Sequence, residues 1–324
     1  MRLNNLMMRL RRRFRRKFFE WLLYPLRLRN AVRLSALRRT LGDSPAVKPA
    51  GDVAPSNRKP SKAATPHYPG QAEASPTNAE TSQPNYEAVI DRVYRDLLRM
   101  GDTAVDVGAN FGIHTLGMAE RVYPTGCVIA FEPLPVGRAE VERLLERAAR
   151  GAYRKVVVLS PYALSNQAKD TEFNFAPEVP GWSGLKQLDR YARPVQLEKI
   201  PVRVERLDTV LADVSRCRFM KIDVEGGELD ALRGGEGFLR RCRPVVAFEF
   251  GAYSCTSYGV KPIDMARFWE SLNYRLIDVK GRLLTCEEFA RSAEIQEVWD
   301  YFAVPNERQD LQVRVQQLCR GSST

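Results

Sequence analysis

From residue 86 onward, stretches of helical periodicity alternate with short apolar runs. Tyr86, Val89, Ile90, Val93, Leu97 and Leu98 recur at helical spacing, and Gly101-Asp102 closes that helix. Thr103 to Val107, Cys127 to Phe131 and Lys155 to Leu159 are five-residue, mostly apolar runs suited to strands buried on both faces. Pro135 to Gly151 reads as a charged amphipathic helix between the second and third of them. The alternation continues through the stretch from Phe219 to Glu228, the helix Glu228 to Leu232, Val245 to Phe250 and Met265 to Leu272. Such a pattern predicts an α/β fold built on a doubly wound, mostly parallel sheet. At the chain end, Gln309 to Cys319 reads as a last helix with Leu311, Val315 and Leu318 on one face.

Two stretches break the rhythm. Gly42 to Asn85 is made of Pro, Ala, Ser, Thr and Asn with almost no large apolar residue. It buries too little to offset its ordering entropy, so a flexible tether is expected, on which the domain swings. Thr171 to Arg206 has no dominant helical pattern and carries Pro177, Pro180-Gly181, Trp182 and Pro194. A segment this long between core strands reads as a functional insertion, with Trp182-Ser183-Gly184-Leu185 the candidate lid over an acceptor. Trp182 either stacks on a flat ligand face or packs the insertion down. Val202 and Val204 suggest a strand, and Leu207-Asp208-Thr209 a short helix with Asp208 as its N-cap.

Ahead of the tether, Leu3, Met7, Leu10, Phe14, Phe18 and Trp21 fall on one helical face among arginines, and Pro25 ends or kinks that helix. Charge sharpens the contrast. Residues 1–40 hold thirteen Arg or Lys and one Glu, whereas the remainder has 37 basic against 38 acidic residues. The net +11 is therefore an N-terminal property, and it gives no reason to expect nucleic-acid binding by the domain behind it. The basic segment suits an anionic membrane surface, a docking partner, a nucleic-acid arm or a targeting role. Export is disfavoured, because the apolar part FFEWLLYPL is short, contains Glu20 and lacks a small-residue cleavage site. No run approaches the ~18 apolar residues of a membrane span. The six cysteines, Cys127, Cys217, Cys242, Cys255, Cys286 and Cys319, contain no C-x-x-C pair, so reduced thiols and no zinc site are expected.

Chemistry concentrates first between Gly101 and Pro133. The run to Val107 carries Asp106 and is followed by Gly108-Ala109-Asn110-Phe111-Gly112, and the next run ends in Glu132. Glycines there let the backbone turn sharply and admit a ligand closely, while a carboxylate at Glu132 can accept from both hydroxyls of a ribose. A dinucleotide fingerprint needs G-x-G-x-x-G, and this chain has G-x-x-x-G with Asn110 inside it. The turn thus offers carboxylate and amide groups in place of a phosphate nest. A nucleoside ligand with cationic character fits better, and S-adenosylmethionine carries a sulfonium, an ammonium and no phosphate.

The blocks DVGANFGIHT, FEP, ALSN, FMKIDVEGGELDALRGG and VVAFEF, in that order, resemble the FkbM family of S-adenosylmethionine-dependent methyltransferases over roughly Tyr86 to Pro305. The resemblance implies a class I methyltransferase fold, Rossmann-like, whose mostly parallel sheet closes with an antiparallel final strand. Tyr274 to Val279 and Trp299 to Val304 look like its last pair. It also implies methyl transfer to a hydroxyl of a sugar or polyketide-like small molecule. The Tyr162 to Asn166 loop would lie against the adenine, making Ser165 and Asn166 cofactor contacts; Asn166 stands where the family commonly has Asp and keeps a carbonyl acceptor.

In a parallel sheet ligands bind beyond the carboxyl ends of the strands, so Asp223 and Glu225 are expected to face the same crevice as Asp106 and Glu132. Lys221 and Asp223 share a strand face and suit an ion pair. Glu225 and Glu249 are the candidate bases, with Lys221 orienting them. His114 either faces the crevice as an acceptor contact, beside Trp182 and Ser183, or is an ordinary polar helix residue. The carboxylates of Asp223, Glu225 and Glu249 would suit magnesium, although no metal is predicted. The expected layout is a basic helical segment over 1–41, a linker over 42–85, the domain over 86–305 and a tail helix over 306–324. The expected activity is O-methylation of a sugar, glycolipid or other small molecule, in the cytoplasm, with residues 1–24 holding the protein to the inner face of the membrane. The alternatives are an RNA or protein methyltransferase using the basic arm and a non-catalytic membrane-associated scaffold; no specific nucleic acid is predicted as a partner.

Overall fold

The computed structural model describes residues 34–41, 85–187 and 195–321. Helix α1 (Tyr86–Leu97) starts at Asn85, whose side chain accepts from the Ala88 amide, and buries Ile90, Val93, Tyr94 and Leu97. Strand β1 (Thr103–Val107), helix α2 (Ile113–Val122), β2 (Cys127–Phe131), α3 (Pro135–Arg147) and β3 (Val157–Ser160) follow. The apolar runs make β1 and β2 fully buried, and β1, β2 and β3 pair parallel in that order. The third strand begins two residues later than its sequence suggests, because Tyr153–Val156 is a tight helical turn.

The insertion and the residues just before it build a second, three-stranded sheet. Strands β4 (Ala163–Leu164), β5 (Lys169–Phe175) and β6 (Glu198–Glu205) pair in the order β4-β6-β5, with Val202 and Val204 inward. Helix α4 (Leu207–Val210) returns the chain to β7 (Phe219–Ile222). Asp208 does not cap α4, whose N-cap is Arg206. It accepts instead from the Gly237 and Phe238 amides, at the start of α6 (Glu236–Cys242), which follows α5 (Glu228–Arg233). These are first-turn amides with no partner inside their own helix, and α6 buries Phe238 and Leu239 at that end, so the carboxylate serves the neighbouring helix.

The chain closes with β8 (Val245–Glu249), α7 (Ala252–Thr256), α8 (Pro262–Ser271), β9 (Tyr274–Asp278), β10 (Leu283–Leu284), α9 (Cys286–Glu294), β11 (Asp300–Pro305) and α10 (Gln309–Cys319). The main sheet runs β10-β9-β11-β8-β7-β1-β2-β3, parallel from β8 to β3 and antiparallel where β11 inserts between β8 and β9. This is the class I methyltransferase arrangement. Between β9 and β11 the sequence reads only as a charged stretch, yet it forms α9 through a capping box of Thr285 and Glu288. Among the described residues, no helix is long and apolar enough to cross a membrane.

The N-terminal segment is not wholly separate from the domain. Leu34, Leu37 and Leu41, on one face of the helical residues 34–41, are buried in the main core. Arg38 donates to the carbonyls of Arg154 (3.1 Å) and Val157 (3.2 Å). Burial of three leucines, at about 1.5–3 kcal/mol each, ties this stretch to the edge of the sheet at β3. The helical stripe from Leu3 to Trp21 and the tether expected after residue 41, apart from Asn85, lie outside the described residues.

Candidate active site

The strand tips put several polar side chains side by side. Asp106 on β1 is level with Lys221 on β7, and Asp300 on β11 is level with Glu249 on β8. Since Lys221 pairs with Ala247 across β7 and β8, Asp223 extends the same row toward Glu249. Asp223 Oδ2 lies 2.8 Å from Lys221 Nζ, and its carboxyl hydrogen-bonds Glu249. One oxygen each from Asp223, Glu225 and Glu249 fall within 4.8 Å of one another.

Three carboxyls so close cannot all ionise cheaply, and their surroundings divide them. Burial opposes the charge on Asp223, but the Lys221 ammonium holds its carboxyl below the ordinary carboxylate range. Glu249 is pushed well above that range, first by burial and then by the charges of Asp223 and Glu225. Burial opposes the charge on Lys221 as well, yet the carboxylates of Asp223, Glu87 and Asp106 keep it protonated. Asp300 is pushed up to about 8 by burial and by Glu87 and Asp223. The row therefore holds one ionised pair, Lys221 and Asp223, beside protonated Glu249.

A cavity of about 230 Å³ opens beside this row. Its lining includes Gly108, Asn110, Glu132, Tyr162 and Leu164 from the strand tips, Asp223, Glu225 and Gly227 from the loop after β7, and Phe173, Phe175, Pro180, Ser183 and Tyr258. Glu132 is buried at its floor and accepts from the amides of Asn110 and Leu134, both at 2.8 Å. Burial nevertheless pushes its carboxyl up to about 7. Each of its oxygens keeps one lone pair for a ligand donor. Asn110 adopts a left-handed conformation (φ 48°) in the glycine turn, as does Glu225 (φ 58°) in the second turn. The two turns interlock, since a Cβ on Gly108 would stand 1.8 Å from the Asp223 carbonyl oxygen.

Behind the second turn, buried Glu228 has a role that sequence reasoning misses. Its Oε1 accepts from the Val224 (2.9 Å) and Gly226 (3.2 Å) amides and so fixes Glu225, while burial pushes its carboxyl up to about 7. The segment expected to act as a lid is tied to its surroundings at three points. Asn174 exchanges backbone bonds with Gly184, Ser183 Oγ accepts from the Ala176 amide (3.0 Å), and Tyr258 OH accepts from the Lys186 amide (3.2 Å). Tyr258 comes from beyond β8, a long-range partner with no local signal in the sequence.

Several expected contacts fall elsewhere. Asp106 is one residue short of the cavity wall at Val107; its Oδ2 accepts from Thr115 Oγ1 (2.5 Å) on α2. Gly112 (φ 82°) starts α2 and packs on Val141. Asn166 donates to Asp230 (3.2 Å), and neither it nor Ser165 lines the cavity, whose wall there is Tyr162 to Leu164. Trp182 also lies outside the lining, between Gly181 and Ser183, which contribute to it. His114 is paired with Glu87 on α1 and stands edge-on to Tyr94, so it belongs to the packing of α1 on α2. Lys221 and Glu249 sit behind Asp223 and do not line the cavity. Glu87 and Asp300 join the polar row from elements with no recognisable motif.

The cavity fits the ligand its turn suggests. Among the described residues lining it are three acids, Glu132, Asp223 and Glu225, and no Lys, Arg or His. Among the described lining residues a pyrophosphate would meet no cation, whereas a sulfonium or ammonium would meet acidic groups.

Comparison with known proteins agrees in kind. The sequence profile of the Methyltransferase FkbM domain matches residues 106–276, more than half of the chain. Methyltransferase 1 of Beauveria bassiana is 31% identical over 166 residues, 46% of this chain and 64% of its own length. Methyltransferase sdnD of Sordaria araneosa is 31% identical over 156 residues, 40% of this chain and 59% of its own. The 31-O-demethyl-FK506 methyltransferase FkbM of Streptomyces tacrolimicus is 31% identical over 214 residues, 56% of this chain and 80% of its own. The chain thus spans less than two thirds of the first two relatives. Among solved structures, methyltransferase FkbM from Methylobacillus flagellatus is 15% identical with a TM-score of 0.41, covering 68% of this chain and 55% of that one.

Proposed function

Because this chain belongs to the FkbM family of S-adenosylmethionine-dependent methyltransferases, we propose that it methylates a hydroxyl oxygen of a small molecule, a sugar, glycolipid or similar compound. The observation that carries this reading is Glu225, whose carboxyl lines the cavity wall on the turn braced by Glu228. A relative named for an oxygen position of its acceptor supports the same class of reaction.

S-adenosylmethionine, when bound, supplies an activated methyl group. Glu132 and the Asn110 turn would hold its nucleoside part, and Asp223 its cationic part. The chain's remaining contribution is alignment and proton removal. Alignment of reacting groups can be worth ~7 to 11 kcal/mol. A placed base adds on the order of 10² to 10⁴ in rate. Glu225 takes that role in our reading: it lines the cavity, whereas Glu249 holds a proton behind Asp223. Lys221 keeps Asp223 ionised, and Ser183 belongs to the covering lid.

The test is incubation of the full chain with methyl-labelled S-adenosylmethionine and fractionated sugars, glycolipids, RNA and protein. Label in an alkali-stable ether of a small molecule or glycolipid is expected. Label confined to RNA or protein would contradict the reading.

A further inference from the structure

The docked residues 34–41 bring together two basic stretches that are far apart in the sequence. Between Trp21 and Leu41 the chain has Arg27, Arg29, Arg33, Arg38 and Arg39 and no acid; between Arg147 and Lys169 it has Arg147, Arg150, Arg154, Lys155 and Lys169 and again no acid. The two Arg38 bonds, to the carbonyls of Arg154 and Val157, set the end of the first stretch on the second. Arg38, Arg39, Arg147, Arg150, Arg154 and Lys155 are all exposed there. Arg154 pairs with Glu146, and among the described residues the other five have no acid in salt-bridge contact. The turn that carries Arg150 leaves the helical path, with Ala149 and Arg150 both at positive φ (44° and 55°), and this sets it apart from the end of α3.

From this surface we infer that the β3 edge of the domain is a docking face for an anionic lipid surface. The charge selects an anionic partner. The sequence entering this face selects lipid over RNA: it is preceded by the stripe Leu3, Met7, Leu10, Phe14, Phe18 and Trp21, an apolar face that a bilayer interface buries and a phosphate backbone does not. The patch adds to that segment a second point of attachment, built on the folded domain. It lies at the start of β3, whereas the cavity opens at the carboxyl ends of the strands. Docking by this face therefore leaves the cavity mouth on the aqueous side, open to a water-borne acceptor or to a long head group. The inference is independent of which hydroxyl compound is methylated.

The test uses the full chain in co-sedimentation with vesicles of phosphatidylcholine alone or with phosphatidylglycerol, and compares it with Arg147→Gln/Arg150→Gln/Lys155→Gln. Each cation near an anionic surface is worth roughly fivefold in binding, so the triple variant is expected to bind the anionic vesicles about a hundredfold more weakly. Its thermal midpoint and its affinity for S-adenosylmethionine should match the unaltered chain, which separates this result from any failure of the methyltransferase reading. Equal binding of variant and unaltered chain, equal binding to both vesicle types, or retention on RNA with none on anionic vesicles would overturn the proposal.

Discussion

Lys221 Nζ and Asp223 Oδ2 are 2.8 Å apart on the inner face of a strand tip, with the lysine buried and the aspartate reaching the cavity wall. The pair converts one member of an acidic row into a fixed anion. Its neighbour Glu249 is held protonated first by burial and then by the charge of Asp223.

Removing the ammonium strands the charge. Lys221→Met is expected to destabilise the protein by about 3–5 kcal/mol, as measured by urea unfolding at neutral pH. A shift below about 1 kcal/mol would mean that the pair is better solvated than its burial indicates.

The two glutamates should respond differently to the same change. Glu225→Gln is expected to lower kcat by about 10² to 10⁴ with little change in cofactor affinity. Glu249→Gln imitates the protonated form and should change kcat by less than about tenfold. The reverse ranking in steady-state kinetics would move the base to Glu249.

Much of the fold and part of the site are legible in the sequence, and the misses share a cause. The strands from Thr103, Cys127 and Phe219 and the two glycine turns are local features, dictated by apolar runs and positive-φ positions, and they bring Gly108, Asn110, Glu132, Asp223 and Glu225 to one cavity. Side-chain direction at the strand ends is not a local feature. Asp106 stops one residue short of the cavity wall at Val107 and finds its partner, Thr115, on α2, whereas the Lys221–Asp223 pair, two residues apart on one strand face, is a local feature that the sequence does show. Asn166 sits at the motif position expected to face the adenine, but Asp230, 64 positions away, takes its amide. Glu87, Tyr258 and Asp300 reach their places only through tertiary packing.

Gly108 joins both turns. Gly108→Ala would set a methyl against the Asp223 carbonyl and strain a left-handed position, so a loss of about 3 kcal/mol or more is expected in thermal unfolding. An unchanged midpoint would show that the turns separate without cost.

Acidity at Glu132 and Glu228 gives the ligand-free protein a pH dependence of definite sign. Both carboxyls are raised to about 7 in the folded state, so the folded state binds more protons than the unfolded one between the ordinary carboxylate range and about 7. Their contribution is full below that window and is lost as pH rises through it. The thermal midpoint of Glu132→Gln should therefore fall less steeply across the window than that of the unaltered protein. An equal slope would assign the effect to other groups.

The central claim is that acids from several strand tips form one pocket for a positively charged methyl donor. Isothermal titration with S-adenosylmethionine, run on the unaltered chain and on Asp223→Asn, tests it most directly. Measurable binding that weakens about tenfold or more in the variant, and that also weakens from about pH 8 to about pH 6 as Glu132 gains its proton, is the predicted result. Absence of binding to the unaltered chain, or affinity indifferent to both the substitution and the pH, would contradict it.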